Sequence, residues 1–269
     1  MIPPLLDVDH IYCGYQQKTI LENITFQILH SELVSIIGPN GSGKTTLLKT
    51  ISRLIKPHNG TIRLNGINIQ KLPLNQLAQQ MAVVSQIVEP IYISVESYVL
   101  MGRLPYFKKF QFFESKADIH IAENCMKRIG VWDIRHALMN ELSDGQRQLA
   151  AIARAMAQEP ILLLLDEPTA HLDIAHQIQI LNLIKKMNRE LDITVLMIIH
   201  DLNLACEYSD RLILLKNGEI KQMGEPEHVI SYQTIEEVFD TLVIVNENPL
   251  SGKPCVFLVT DNHLKKINP

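Results

Sequence analysis

Cysteine is scarce in this sequence. The four residues, Cys13, Cys125, Cys206 and Cys255, are scattered, with no CxxC pair and no histidine at ligand spacing. That excludes a disulfide scaffold and a zinc finger, and it fits a reducing compartment. Long apolar runs are lacking too. The longest, such as Ile161–Leu165 and Val195–Ile199, fall far short of the ~20 residues that span a bilayer, so a membrane role has to come through a partner. The N-terminal stretch MIPPLLDVDHIY shows no basic segment followed by an apolar core and does not read as a signal peptide. A basic excess is missing as well: the net charge of −4 argues against bulk binding to a nucleic-acid backbone. Internal repeats, low-complexity segments and sustained heptads are also absent.

What is present is an ordinary globular composition, 46% apolar and 20% charged over 269 residues, which is inconsistent with a disordered chain. A chain of this size buries roughly three quarters of its unfolded surface and reads as one large domain with an inserted or appended lobe. Its first part alternates as strands do, with Ile24, Phe26 and Ile28 on one face. The apolar run Leu33–Ile37 then leads through a glycine-rich turn into a helical segment, Thr45–Leu54. Asn65-Gly66 and Asn217-Gly218 sit between strand-like pairs and predict two-residue hairpin turns.

From about Val88 to Ala157 the pattern is mostly helical, with Ile119, Ala122, Met126 and Ile129 at helical spacing. Continuous apolar strands return at Ile161–Leu165 and Thr194–Ile199, separated by the helical segment Ile174–Leu191. Strands without alternation, each followed by a helix, predict an α/β fold around a covered parallel sheet. The expected organisation is a sheet domain over residues 1–230, interrupted by a helical block at about 88–157. A small appendage follows at 231–269, with a hairpin of Leu242–Val245 and Cys255–Val259.

Gly38-Pro39-Asn40-Gly41-Ser42-Gly43-Lys44-Thr45, with Thr46 after it, fits GxxxxGKT between a buried strand and a helix. Glycines let successive N–H groups curl around one anion, and the helix N-terminus adds its dipole. Lys44 would reach β- and γ-phosphates, and the Thr45 hydroxyl would hold Mg²⁺. Ile161-Leu-Leu-Leu-Leu-Asp166-Glu167 places paired carboxylates at the C-terminal edge of the sheet, where α/β ligands bind. Asp166 suits the metal's water shell, and Glu167 suits a base that orients the attacking water. His200, after the Thr194–Ile199 strand, and Gln86, after Met81–Ser85, arrive at similar strand ends. Taken singly, a histidine there is more often structural and a glutamine merely solvated.

Leu142-Ser143-Asp144-Gly145-Gln146 resembles the LSGGQ signature of ABC ATPases, and the other pieces follow that family's order: phosphate loop, Gln86, signature, Asp166-Glu167, Ala170-His171-Leu172-Asp173, His200. The resemblance covers roughly residues 5 to 225. It implies a P-loop fold with a RecA-like parallel core, an N-terminal antiparallel β subdomain and an inserted helical subdomain. It also implies ATP and Mg²⁺ as cofactors, with Thr45, Gln86 and Asp166 around the metal and Glu167, His200 and Gln86 as catalytic residues. In that family two copies pack head to tail, so that Ser143, Gly145 and Gln146 of one chain, with Asp173 nearby, close over the nucleotide of the other. Tyr15 stands where the family often places an aromatic against adenine. Asp144 departs from the commoner glycine, and His171 from the usual small polar residue.

Val99–Tyr106, Pro168–Asp173 and His200–Ala205 are further similar to the metal-chelate importer branch, whose cargoes are iron-siderophores, haem, cobalamin or oxyanions such as molybdate. That likeness implies integral-membrane permease subunits gripped through a groove between Gln86 and Arg103. It also implies a periplasmic or surface substrate-binding protein acting indirectly, a place at the cytoplasmic face of the membrane, and no nucleic acid. Other importer branches and exporters share the chemistry and stay open at this point. A non-transport ABC ATPase is disfavoured by the lack of heptads and of a second phosphate loop. A non-catalytic adaptor is disfavoured because Lys44, Glu167 and His200 are all present.

Overall fold

The computed structural model describes residues 3–15, 18–86 and 88–259. The chain opens with a long antiparallel pair, β1 (Leu6–Tyr15) and β2 (Lys18–Ile28), followed by β3 (Leu33–Ile37) and α1 (Lys44–Ile51). The hairpin β4 (Asn59–Leu64) and β5 (Ile67–Asn68) comes next, then α2 (Leu74–Gln80) and β6 (Met81–Val84). Three helices follow: α3 (Val95–Leu100), α4 (Lys116–Ile129) and α5 (Asp144–Ala157). The sheet resumes with β7 (Leu162–Asp166), α6 (Ile174–Leu191), β8 (Thr194–Ile198), α7 (Leu202–Tyr208) and the hairpin β9 (Arg211–Lys216) and β10 (Glu219–Gly224). Two short helices, α8 (Pro226–Val229) and α9 (Tyr232–Phe239), lead to the hairpin β11 (Val243–Glu247) and β12 (Pro254–Leu258). Residues from 260 on, part of the expected C-terminal appendage, lie outside the described residues.

The main sheet has the order β10-β9-β3-β8-β7-β6, with only the β9–β10 pair antiparallel, and a second sheet, β2-β1-β4-β5, is wholly antiparallel. Every residue of β3, β7 and β8 is buried, because parallel strands are covered on both faces. The pleat divides them: Leu163 and Leu165 join the apolar cluster of the helices, while Leu162 and Leu164 join that of β1, β2 and α1. This is the expected fold, a P-loop core with an antiparallel sheet on one face.

Several boundaries differ from expectation. The helix after the phosphate loop ends at Ile51 rather than Leu54, and the strand bearing Asp166 runs from Leu162. Helix α5 starts at Asp144, two residues before the Gln146–Ala157 segment that reads as helical in the sequence, so Gly145 lies in its first turn. Ile119 does not belong to the buried stripe of α4; it is exposed, and Asp118 is buried in that turn instead. The reason is Arg103. Its guanidinium, 4% exposed for the residue as a whole, bonds to Asp118 Oδ1 at 3.0 Å, to Glu159 Oε2 at 2.7 Å and to the Ala157 carbonyl at 2.7 Å. Arg103, the far bound of the groove that the resemblance implies, is therefore a buried tie between α4 and the end of α5.

Burial opposes ionisation of Asp118, but hydrogen bonds from Ser115 and Arg103 outweigh it and hold its carboxyl below the ordinary range. A depressed pKa contributes stability that is present at neutral pH and fades as pH falls through the folded-state value. Arg103→Met strands that carboxylate, so it is expected to lower unfolding stability by about 3 kcal/mol, read as a shift in urea midpoint at pH 7. A midpoint equal to wild type would show the pair to be inconsequential.

The C-terminal hairpin is fastened to α7. Asn203 accepts from Val256 N at 2.7 Å and donates to Val256 O at 3.2 Å, while Lys253 Nζ donates to the Cys206, Glu207 and Ser209 carbonyls at 2.8, 3.2 and 3.1 Å. A cation on the last carbonyls of a helix complements its dipole.

Candidate nucleotide site

Parallel register brings the functional side chains to one edge. Ile36 pairs with Ile198, Ile198 with Asp166, and Leu165 with Val84. One or two residues beyond that row lie Gly38, His200, Glu167 and Gln86, all at the C-terminal ends of their strands, where open α/β sheets bind ligands.

The phosphate loop needs glycine for steric reasons. Gly38 has φ 147°, and a Cβ there would meet the Leu215 carbonyl oxygen at 2.1 Å. Gly43, at the N-cap of α1 with φ 104°, leaves room for Leu21, which an added Cβ would meet at 2.7 Å. The loop is bolted to the β9–β10 turn by a bond from Gly218 N to Ser42 O at 3.0 Å. Lys44 Nζ donates to the Gly38 and Pro39 carbonyls at 2.9 and 3.0 Å. Burial lowers its pKa, against the pull of Glu167 and Asp166. Thr45 Oγ1 donates to Asp166 Oδ1 at 3.2 Å. Burial raises the Asp166 pKa, the Thr45 bond opposes that, and the charge of Glu167 adds to it.

Glu167 is engaged on both oxygens: Gln86 Nε2 donates to Oε2 at 2.7 Å, and His200 Nε2 contacts Oε1. Its backbone is left-handed at φ 51°, an uncommon conformation for glutamate that concentrates at functional sites. A turn bond from Ala170 N to Glu167 O at 3.1 Å holds it there. Asn40, Gly41, Gly43, Lys44, Thr45, Thr46, Glu167, His200 and Ile20 line one cavity of about 240 Å³. The Ser42 hydroxyl, buried in the loop, has no protein partner. Backbone N–H groups at a helix start, an ammonium, a free hydroxyl and a Thr–Asp pair form a donor set suited to phosphates with a hard divalent cation.

Tyr15, half-exposed at the end of β1, does not line that cavity. Nor do Ser143, Gly145, Gln146 and Asp173. Ser143 caps α5, accepting from Gln146 N at 3.3 Å, while its own N–H donates to Gln146 Oε1 at 3.1 Å. The Asp144 carboxylate turns along its helix to Arg147, which also bonds the Leu142 carbonyl at 2.6 Å. Asp173 caps α6, accepting from His176 N at 2.8 Å, with His176 Nδ1 also at 2.8 Å. The His176 backbone and side-chain bonds hold the Asp173 carboxyl below its ordinary range. The His176 ring in turn packs on Gly145, where a Cβ would meet its Cδ2 at 3.1 Å.

His176 and Ile20 escaped the sequence reading, the first because only the fold sets it against Gly145, the second because no motif marks it. Arg147 escaped it too, although its place three residues after Asp144 on one helix face could have marked it.

A second concavity, about 230 Å³, lies between the Gln86 loop and helices α3 and α5. Ser85, Val88, Glu89, Ile91, Tyr98, Ala151 and Arg154 line it. Arg154 stacks over the Tyr98 ring at 4.7 Å from its centroid.

Residues 21–170 match the family model described as ABC transporter. The chain is 37% identical over 249 residues to the ferric enterobactin transport ATP-binding protein FepC of Escherichia coli (strain K12), covering 92% of each. It is 38% identical over 250 residues to a siderophore transport system ATP-binding protein, YusV of Bacillus subtilis (strain 168), covering 93% of this chain and 90% of that one. A solved structure described as an inward-facing, metal-chelate type ABC transporter superposes with a TM-score of 0.82 at 25% identity, over 96% of this chain and 97% of the other. With the phosphate loop, the paired acids and the capped signature helix in one fold, the chain belongs to the ABC transporter family, as an ATP-binding subunit.

Proposed function

We propose that this chain hydrolyses ATP to drive import of an iron-siderophore-type metal chelate, with two copies working head to tail beneath separate membrane-spanning subunits. The observation that carries the chemistry is Glu167, a carboxylate at the sheet edge held between Gln86 and His200 on the wall of the phosphate cavity. Relatives at 37–38% identity named for enterobactin and siderophore transport support the cargo class.

In this reading Lys44 leaves the loop carbonyls to bind β- and γ-phosphate oxygens, joined by the N–H groups of Asn40–Thr46 and the Ser42 hydroxyl. Thr45, Asp166 and Gln86 would hold Mg²⁺, which would supply positive charge against the phosphates. Glu167 exchanges one of its present partners for the attacking water and takes its proton, while His200 contacts the γ-phosphate. Tyr15 faces the adenine.

Ser143, Gly145, Gln146 and Asp173 serve the site of the second copy, which fits their absence from the cavity of their own chain. Arg147 draws the Asp144 carboxylate along the helix, so the departure from glycine leaves the α5 N-terminus free for an anion. The concavity beside Gln86 receives a cytoplasmic helix of the permease, and closure of the pair moves it. The substrate-binding protein acts through the permease alone. Among the described residues no helix is long and apolar enough to cross a membrane. The proposed place of the chain, on the cytoplasmic face through its partners, rests on its relatives among transporter ATP-binding subunits.

Affinity purification of the Glu167→Gln protein from native membranes with Mg-ATP is expected to recover a polytopic permease. Recovery with ribosomes or DNA and no membrane protein would overturn the transport reading and leave the ATPase chemistry standing.

A further inference from the structure

Four of the chain's seven phenylalanines fall within Phe107–Phe113, and they are not in the core. Phe110, Phe112 and Phe113 are 77%, 80% and 82% exposed, among the largest exposures of any apolar side chain in the protein. Contiguous aromatic surface of this kind on a soluble protein marks a contact site. Lys108 and Lys109 stand exposed beside them, and Lys116 follows; Glu114 is the only acid of the segment Phe107–Lys116. Lys109 lies over the Phe110 ring at 5.3 Å from its centroid. The local excess of positive charge runs against a net charge of −4 for the whole chain.

The segment is held in shape. At its base, the buried Arg103–Asp118 pair joins the residues before the loop to the first turn of α4. Tyr106 OH donates to the Gln158 carbonyl at 2.9 Å, and Gln79 Nε2 donates to the Pro105 carbonyl at 2.9 Å. At its tip, Gln111 N donates to the Lys108 carbonyl at 2.9 Å, Lys108 N donates to Gln111 Oε1 at 3.1 Å, and Gln111 Nε2 donates to the Phe113 carbonyl at 3.0 Å. The side chain of Gln111 thus ties the turn from within, and the rings are left to project. Projecting rings flanked by lysines suit a soft, anionic, apolar-cored surface better than a shaped protein pocket. Aromatic rings settle at the boundary between headgroups and acyl chains, and lysines near an anionic leaflet add roughly equal favourable increments.

We propose that the loop Phe107–Glu114 is a membrane anchor, with Phe110, Phe112 and Phe113 entering the headgroup boundary of an anionic bilayer and Lys108 and Lys109 meeting lipid phosphates. The proposal rests on the reading of the chain as a subunit working against the membrane. It adds a direct lipid contact to the one made through the permease.

The test is flotation of the purified full-length protein with vesicles of phosphatidylcholine alone and of phosphatidylcholine with phosphatidylglycerol. The wild type is expected to float with the anionic vesicles. A variant combining Phe110→Ser, Phe112→Ser and Phe113→Ser is expected to partition at least about tenfold less, with ATP turnover in solution unchanged. Lys108→Glu with Lys109→Glu should remove the preference for anionic over neutral vesicles. Flotation of the triple variant equal to wild type, or no flotation of either, would overturn the anchor. So would loss of permease capture in detergent by the triple variant, which would make the loop a protein contact. Failure here leaves the permease pull-down with Glu167→Gln untouched, so the two readings fall separately.

Discussion

Replacing Glu167 by glutamine is expected to slow ATP turnover by about 10²–10⁴-fold while nucleotide binding persists, so that the protein accumulates as an ATP-bound pair. The substitution is nearly isosteric. The glutamine carbonyl can still accept from Gln86 Nε2, now 2.7 Å from Glu167 Oε2, and its amide can donate to His200 Nε2 in the tautomer that leaves that nitrogen unprotonated. Packing and the left-handed backbone at φ 51° are therefore kept. What disappears is a carboxylate able to take a proton from water. Two readouts separate this from a folding defect: steady-state phosphate release, and light scattering with and without Mg-ATP. Turnover at the wild-type rate would refute Glu167 as the base. Equal loss of turnover and of nucleotide binding would make it a binding residue instead.

Lys44→Ala is expected to act one step earlier. The ammonium is buried, satisfied by two loop carbonyls, and has its pKa lowered by burial. On the proposed function, phosphate oxygens replace those carbonyls when nucleotide binds. Removing it takes away a charge-assisted contact to the β- and γ-phosphates, and turnover should fall by about 10²–10³-fold. Nucleotide affinity should drop together with turnover, unlike the pattern for Glu167→Gln. The fold should survive, since the phosphate loop stays bonded to the β9–β10 turn through Gly218 N and Ser42 O. Fluorescent-nucleotide titration beside a thermal melt checks both parts. Undiminished affinity in a folded protein would show that Lys44 does not contact the nucleotide.

Much of the fold was legible because its signals are local. Helix α6 spans Ile174–Leu191 as its spacing predicts, and both Asn-Gly turns close hairpins. A motif such as Gly38–Thr45 reports a backbone path, and glycines at φ 147° and 104° are needed by any chain that takes that path. The strand ends bearing Gln86, Asp166, Glu167 and His200 could be read for the same reason: once the strands are parallel, their C-terminal ends share an edge.

Side-chain direction and long-range pairing left no such trace. Arg103 enters the sequence reading only as the bound of a groove, yet the fold closes Asp118, Glu159 and the Ala157 carbonyl around it. Gly145 is marked by its place in the signature, and the structure adds a steric reason, the imidazole of His176 packed where its Cβ would stand. Asp144 reads only as a departure from the signature's commoner glycine, and the structure turns its carboxylate to Arg147.

The sequence by itself determined the phosphate loop, the succession of motifs along the chain and the family to which the chain belongs, since each is written in residue type and spacing along the backbone. Only the tertiary structure decided which groups face one another across the cavity. It held Glu167 between Gln86 and His200, separated by 81 and 33 positions in the chain, because such meetings depend on how strands are ordered in the sheet, and spacing along the chain does not encode that order.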